Sequence, residues 1–390
     1  MDYFLTEEQQ MIVELSRRIA QEKIKPVREH YDEKEEFPWP IVEEFAKADL
    51  CGVYIPSEYG GMGGGIFELV LVVEELSKVD GAISLALAAT ALGTFPILLY
   101  GSEEQKRKYL PDIASGKKLA AFGLTEPSAG SDATSLKTTA TKDGDHYILN
   151  GTKCFITNGG EAQIYTVFAS TNPAKGARGI SCFIVEKDTP GFEFGKKEKK
   201  LGIRASSTRE LIFNNCRIPA SNLLAREGYG LMIAQSTFDA SRPGVAAQAL
   251  GIAAGALEEA INYARVRVQF GQPIASFQAI QHILADMATE VEAARALLYS
   301  TARMMDAQKA SGKKERITKE SAMSKYYASE VAMRVTTNAV QVFGGYGYSR
   351  EYPVEKMMRD AKITQIYEGT SQIQKNEIAL ALIKEAAKGK

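Results

Sequence analysis

Apolar positions in the first third of the chain recur at helical spacing. Met11, Leu15 and Ile19 fall four apart behind Thr6-x-x-Gln9, a capping-box pattern, so a helix is expected to open at Thr6. Phe37-Pro38-Trp39-Pro40 breaks the chain, and Ile41, Val42, Phe45 and Ala46 resume a helix after it. Pro56 to Gly65 is glycine-rich. It has no GxGxxG after a strand and no Gly-Lys-Ser/Thr, so it reads as a turn and not a phosphate cradle. Helical spacing returns from Phe67 to Lys78 and from Ala82 onward, and Ser102-Glu103-Glu104-Gln105 opens a further charged helix.

From about Ala120 the period changes from helical to alternating, as in Thr138-Thr139-Ala140-Thr141 and His146-Tyr147-Ile148-Leu149. Turn signals follow at short intervals: Asp143-Gly144, Asn150-Gly151, Asn158-Gly159-Gly160, Arg178-Gly179 and Pro190-Gly191. Six to eight short strands are expected, ending near Leu224. From Leu231 the helical pattern returns, with long helices over Ala246 to Val268, Ala279 to Lys309 and Ile317 to Phe343, the makings of an antiparallel bundle. The fold class read from this pattern is α+β and mostly α. A helical domain over residues 1–119 and a helical bundle over 231–390 flank a β domain over 120–230.

Length and charge narrow the function classes. A chain of 390 residues is too long for one core. A formal net charge of −1 gives no field for nucleic acid, and no block of like charge marks a tail. The three histidines, His30, His146 and His282, are not spaced as metal ligands, so no metal is expected. Cys51, Cys154, Cys182 and Cys216 form no CxxC, and the last three fall in strand-like stretches, which reads as reduced, buried cysteine in an intracellular protein. The start, Met1 to Glu8, is acidic and has no signal or transit pattern, so a cytoplasmic location is expected. The weakly polar run from Ala82 to Tyr100 carries Thr90, Gly93, Thr94 and Pro96 and reads as a buried helix and turn, not a membrane span.

Four stretches could carry chemistry. In Ile366-Tyr367-Glu368-Gly369-Thr370-Ser371-Gln372, Ser371-x-x-Gln374 reads as a capping box opening the last helix, and Gly369 lets backbone approach closely. Glu368 is then either a surface carboxylate favoured at a helix start or an aimed base, with burial raising its pKa and the helix end lowering it. Phe122 to Ala133 mixes hydroxyls and glycine at the entry to the β domain, which suits either a ligand loop or a domain junction. Phe155 and Thr157, two apart on one strand, would share a face, where the aromatic is either core or the wall of a flat ring. Gln341-Val342-Phe343-Gly344-Gly345-Tyr346-Gly347 ends a long helix in three glycines, and a C-cap explains only one.

Taken in order, these stretches resemble the acyl-CoA dehydrogenase family over essentially the whole chain. LTEPSAGSDA is similar to the family's first signature, and QVFGGYGY followed by YPVEKMMRDAKITQIYEGTSQIQ is similar to its second. The resemblance implies an N-terminal helical domain, a middle β-barrel domain and a C-terminal four-helix bundle. It also implies non-covalent FAD between barrel and bundle, and a homotetramer. Carried over by residue, Glu368 is the base that removes the α-proton of an acyl thioester while the β-hydride passes to flavin N5. The thioester oxygen is held by the Glu368 backbone N–H and a flavin ribityl hydroxyl, an oxyanion-hole arrangement.

The family's flavin contacts map to Phe122, Leu124, Thr125, Ser131, Phe155, Ile156, Thr157, Thr370 and Gln372. Its adenine-diphosphate contacts map to Arg267, Gln269, Phe270, Phe277 and Gln278, and its contacts to a neighbouring subunit's FAD map to Gln341, Val342, Gly344 and Gly345. Relatives often carry Trp at the Phe155 position and Thr at the Gln269 position, which leaves the Gln269 contact the less secure. Acyl-CoA contacts map to Ser131, Phe238, Asp239, Ser241, Arg242, Tyr367 and Gly369. Some members place the base near Ser241, where this chain has a hydroxyl. The pocket helix Ala82 to Gly93 lacks the Arg that glutaryl-type relatives use, so an apolar acyl group is expected: short, branched or alicyclic. Electron-transferring flavoprotein is the expected partner. An acyl-CoA oxidase and a non-catalytic, DNA-associated relative are the alternatives, and both commonly carry C-terminal extensions that are not seen in this sequence.

Overall fold

The computed structural model describes residues 3–312 and 316–389, so Met1 and Asp2 of the acidic start lie outside the described residues. The helices of the first part are α1 (Glu7–Ile19), α2 (Arg28–Lys34), α3 (Trp39–Lys47), α4 (Ile66–Ser77), α5 (Gly81–Tyr100) and α6 (Glu103–Ala114). Reciprocal capping boxes open α1 and α6, from Thr6 with Gln9 and from Ser102 with Gln105. Asp80 caps α5 by accepting from the Ala82 and Ile83 amides at 2.8 and 2.9 Å. In α5, 78% of the most apolar window is buried inside the protein, which is how a core helix comes to have the composition of a membrane span.

The middle of the chain forms one curled seven-stranded sheet: β1 (Ala120–Gly123), β2 (Thr139–Asp143), β3 (His146–Thr157), β4 (Ile164–Ser170), β5 (Ile180–Glu186), β6 (Phe192–Lys197) and β7 (Thr208–Pro219). The strand order is β1-β4-β2-β3-β7-β6, with β5 antiparallel to β4 and β1 parallel to it. Tyr147, Tyr165, Phe183, Phe192 and Phe213 fill the inside of the curl. Cys154, Cys182 and Cys216 lie on these strands, and all four cysteines are free and buried.

The last part holds α7 (Gly230–Val266), a two-residue-strand hairpin β8 (Val268–Gln269) and β9 (Gln272–Pro273), α8 (Gln278–Ala310), α9 (Thr318–Phe343), α10 (Val354–Thr364) and α11 (Ser371–Ala387). Two expectations are corrected here. The first bundle helix starts at Gly230, not Ala246, and runs straight through Pro243. Proline removes one helical hydrogen bond, and the carbonyl it frees, that of Asp239, accepts instead from the Ser321 hydroxyl of α9 at 2.8 Å. The second correction is at α11, whose cap is Thr370 and not Ser371: the Thr370 hydroxyl accepts from the Ile373 amide at 3.3 Å. Ser371 is the first helical residue and donates to Glu330.

A buried ionic cluster ties the three parts together. Lys356 on α10 meets Asp360 at 2.5 Å and Asp80, the α5 cap, at 2.9 Å. Asp360 also accepts from the Ile203 amide, in the segment between β6 and β7, at 2.6 Å. Burial alone would lower the pKa of Lys356, but the two carboxylates outweigh it and hold the ammonium above its ordinary range.

Candidate active site

A cavity of about 1430 Å³ opens where α5, the sheet and the bundle meet. Leu85, Ala89 and Leu92 of α5 give it an apolar wall. Phe122, Leu124, Thr125 and Ser131 line it from β1 and the loop after it, Phe155, Ile156 and Thr157 from β3, and Phe238, Asp239 and Arg242 from α7. Tyr367, Glu368, Gly369 and Thr370 enter it from the segment before α11.

The carboxylate of Glu368 is set by an unusual backbone. Glu368 and Gly369 are both left-handed, at φ 51° and 95°. A Cβ at residue 369 would stand 2.6 Å from the Gln374 side-chain nitrogen and displace it, and φ 95° favours glycine there. Gln374 Nε2 donates to the carbonyls of both Glu368 and Gly369 at 3.0 Å, which is where its side chain goes instead of completing a capping box. Lys325 Nζ, from the middle of α9, donates to the Gly369 carbonyl at 2.7 Å. The Arg242 Nε–H reaches the Glu368 carbonyl at 3.5 Å. On the carboxylate itself, the Ser241 hydroxyl donates to Oε2 at 2.5 Å. Burial holds this carboxyl above its ordinary range, against that hydrogen bond and against the charges of Lys325 and Arg242.

Ser241 does not line the cavity. It acts on Glu368, and this differs from the acyl-CoA contact expected of it. Asp239 does line the cavity but is engaged: Thr318 donates to it at 2.8 Å, Arg316 lies 3.4 Å away and Arg242 3.8 Å. The Tyr367 hydroxyl donates to Gln248, whose amide bonds the Gly81 carbonyl of α5 at 2.7 Å.

Phe155 reaches the cavity by a route other than simple alternation. It sits at φ 57° in a bulge where the β3–β7 register shifts between Lys153 and Ile156, and its ring is exposed. The loop after β1 is pinned from below by Lys153, whose buried ammonium meets Glu126 at 2.7 Å and the Leu124 carbonyl at 3.2 Å. Glu126 accepts from the Lys137 and Thr138 amides, and the Cys154 amide donates to the Thr125 carbonyl. Sequence reading missed Lys153, Glu126 and Lys325, because each bonds a partner far away along the chain and carries no local signal.

The remaining expected site residues lie elsewhere. Arg267, Gln269, Phe270, Phe277 and Gln278 are on or beside the β8–β9 hairpin, and none of them lines the cavity. Arg267 lies over the Tyr346 ring at 5.1 Å, which joins this hairpin to the glycine segment Gln341 to Gly345, also outside the cavity. Phe270 is 92% exposed. At the end of α9, Gly344 is the left-handed cap at φ 62°, and a Cβ at Gly347 would meet the Val340 carbonyl at 2.4 Å. Gln372 is exposed and does not line the cavity. Among the described residues no group of three or more His, Cys, Asp or Glu is placed to hold a metal ion.

The cavity exceeds what one drug-sized ligand fills, roughly 300–1,000 Å³. It suits a ring system and a long thioester together. Thr208, whose buried hydroxyl has no partner among the described residues, lines it close to the exposed Phe155 ring and Thr157 on the paired strand, so that end fits a flat, polar heteroaromatic.

Comparison with known proteins agrees. The family models for the N-terminal, middle and C-terminal domains of acyl-CoA dehydrogenase match residues 6–117, 121–216 and 228–383. An acyl-CoA dehydrogenase of Bacillus subtilis is 49% identical over 97% of this chain and 99% of its own length. The structure of butyryl-CoA dehydrogenase from Megasphaera elsdenii matches with a TM-score of 0.94 and 48% identity, over 98% of this chain and 100% of that one. A chain in a structure described as the electron transferring flavoprotein of Acidaminococcus fermentans matches with a TM-score of 0.94 and 51% identity, over 98% and 99%.

Proposed function

The chain belongs to the acyl-CoA dehydrogenase family and is an FAD-dependent acyl-CoA dehydrogenase, and from that premise we propose that Glu368 is its α-proton base. The observation that carries this is the Glu368 carboxylate, turned into the cavity by two left-handed residues and held above its ordinary pKa by burial. An α-proton beside a thioester is weakly acidic, and a positioned base whose pKa is raised toward neutrality suits its removal. Ser241 orients the carboxylate, and the Glu368 amide is a fixed donor for the thioester oxygen. Asp239, already bonded by Thr318 and flanked by two arginines, fits a role at the thioester's CoA end with Ser131 and Arg242.

Phe122, Leu124, Thr125, Phe155, Ile156, Thr157 and Thr370 would hold the flavin. Bound FAD supplies the hydride acceptor. Arg267, Gln269, Phe270, Phe277 and Gln278 would reach the FAD of a neighbouring copy, together with Gln341 to Gly345. That grouping follows from the contact of Arg267 with Tyr346, and it calls for a dimer at least, with a tetramer expected. We propose domain joints at 119/120 and 230/231, and four free cysteines fit the proposed cytoplasmic location.

The uncharged α5 wall of Leu85, Ala89 and Leu92 favours an apolar acyl group, short, branched or alicyclic, because a buried distal carboxylate there would have no partner. Electron-transferring flavoprotein is the proposed acceptor. The test is an anaerobic titration of the yellow enzyme with acyl-CoAs. Butyryl-, isobutyryl- or cyclohexanecarboxyl-CoA is expected to bleach the flavin, and glutaryl-CoA is not. Bleaching by glutaryl-CoA alone would overturn the substrate class. Fast reoxidation by oxygen would turn the reading to an oxidase.

A further inference from the structure

We propose that Lys325 is a positioning residue for the α-proton step, holding the Glu368–Gly369 turn through the Gly369 carbonyl and placing a positive charge behind the base. The proposal rests on Glu368 being that base. Lys325 stands in the middle of α9 with no exposure at all, where an ammonium is costly unless its bonds offset the lost water. The other two buried lysines among the described residues, Lys153 and Lys356, each meet a carboxylate directly, at 2.7 and 2.5 Å. Lys325 instead spends its hydrogen bond on a backbone carbonyl, one residue from the carboxylate, at 2.7 Å.

That carbonyl belongs to a strained turn. A left-handed Glu is strained and persists only where the surroundings over-determine it. Here Lys325 and Gln374 grip the Gly369 carbonyl, and Gln374 and Arg242 grip that of Glu368. Released, the turn would swing its carboxylate off the substrate, and small misplacements are worth ~10²-fold in rate.

The charges around the base are few. Lys325 on α9 and Arg242 on α7 face Glu368. Glu368, Arg242 and Glu330 face Lys325. Arg242 is itself faced by Asp239, Glu368, Glu377 on α11 and Arg316. Asp239 and Glu377 draw on Arg242, so Lys325 is the cation whose nearest acid on the cavity side is the base. Its charge favours the ionised carboxylate and so keeps Glu368 ready to accept a proton. Burial pushes the ammonium of Lys325 down to about 7, against the pull of Glu368.

The experiment is stopped-flow flavin reduction at saturating acyl-CoA, as a function of pH, on flavin-loaded wild type, Lys325→Met and Gln374→Met. Both variants are expected to lose ~10–100-fold at the plateau, because both loosen the turn. Only Lys325→Met removes charge, so only its acid limb is expected to move up, by about one pH unit. A structural role alone would lower the melting temperature and leave the acid limb in place. An acid limb that coincides with wild type, or an unchanged plateau, overturns the proposal. If Lys325→Met does not retain flavin, Lys325→Gln, which leaves a polar group in the site, is read by the same two criteria. Glu368→Gln is measured alongside. If it reduces flavin at the wild-type rate, the base assignment falls; if it is slow and the Lys325 profile is unmoved, only this proposal falls.

Discussion

Lys356 and Lys325 are both buried lysines of the C-terminal bundle, and they differ in what meets their charge. Lys356 sits between Asp360 and Asp80, and its pKa is held up. Lys325 meets a carbonyl, with the nearest carboxylate held at the cavity wall, and its pKa falls to about 7. The first cluster is closed: every charge has a partner, and those partners come from three parts of the chain, so it fixes their arrangement. The second is left under-compensated, and its carboxylate faces the cavity. Buried charge that is fully paired specifies structure, and buried charge that is only partly paired stays available for chemistry.

The most severe way to break this contrast is at the open cluster. Glu368→Gln is expected to keep FAD and bind acyl-CoA, since shape and backbone survive. Its flavin reduction should fall by at least ~10²–10⁴-fold, measured by stopped flow. At the closed cluster the effect is on stability. Lys356→Met leaves Asp80 and Asp360 facing each other without their cation, which is expected to cost about 3–5 kcal/mol in denaturant titration, while reduction rate per bound flavin stays near wild type. A large loss of rate with intact stability would invert the contrast. Arg267, a half-buried cation lying on a Tyr346 ring, sharpens it from a third side. Arg267→Ala should leave the melting profile of the apo chain unchanged and weaken FAD retention by about 1.5–3 kcal/mol, the worth of a charge-assisted bond, read by flavin release on dilution.

The smallest effect is a pH dependence. The Glu368 carboxyl is raised above its ordinary 4.5 in the folded protein. Well below 4.5 the group is neutral in both states and contributes nothing. Above 4.5 the folded chain holds a proton more tightly than the unfolded one, so stability falls as pH rises through the window up to the folded pKa. Glu368→Gln escapes that loss. Its unfolding midpoint should exceed that of wild type at pH 8, and the gap should close as pH drops toward 4.5.

Much of the architecture was legible because its signals are local. Met11, Leu15 and Ile19 announce α1 four residues at a time, and the turn pairs from Asp143-Gly144 to Pro190-Gly191 mark the sheet. What was missed depends on distant partners. The start of α7 at Gly230 was not legible, because nothing near Pro243 in sequence shows that the Ser321 hydroxyl donates to the carbonyl that the proline frees. Thr370 and Ser371 are adjacent hydroxyls, and only the fold decides which one caps α11. At the site, the motif residues around the cavity were readable. Lys153, Glu126 and Lys325 were not, since a lysine in an amphipathic helix or strand looks like a solvated one until a loop docks over it.

The seating of α5 has a consequence for evolvability. Gly93 lies so close to β1 that a Cβ would come within 2.5 Å of the Ala121 amide nitrogen. From the same side, Asn158 bonds the Ala86 carbonyl and the Thr90 hydroxyl at 3.3 and 3.1 Å. The helix that walls the acyl pocket is therefore bolted in place and cannot retreat to admit a bulkier chain. New substrates would have to be won by exchanging side-chain volume at Leu85, Ala89 and Leu92. A combinatorial library over those three positions should sample acyl scope, whereas one aimed at Gly93 or Asn158 should return mostly misfolded clones.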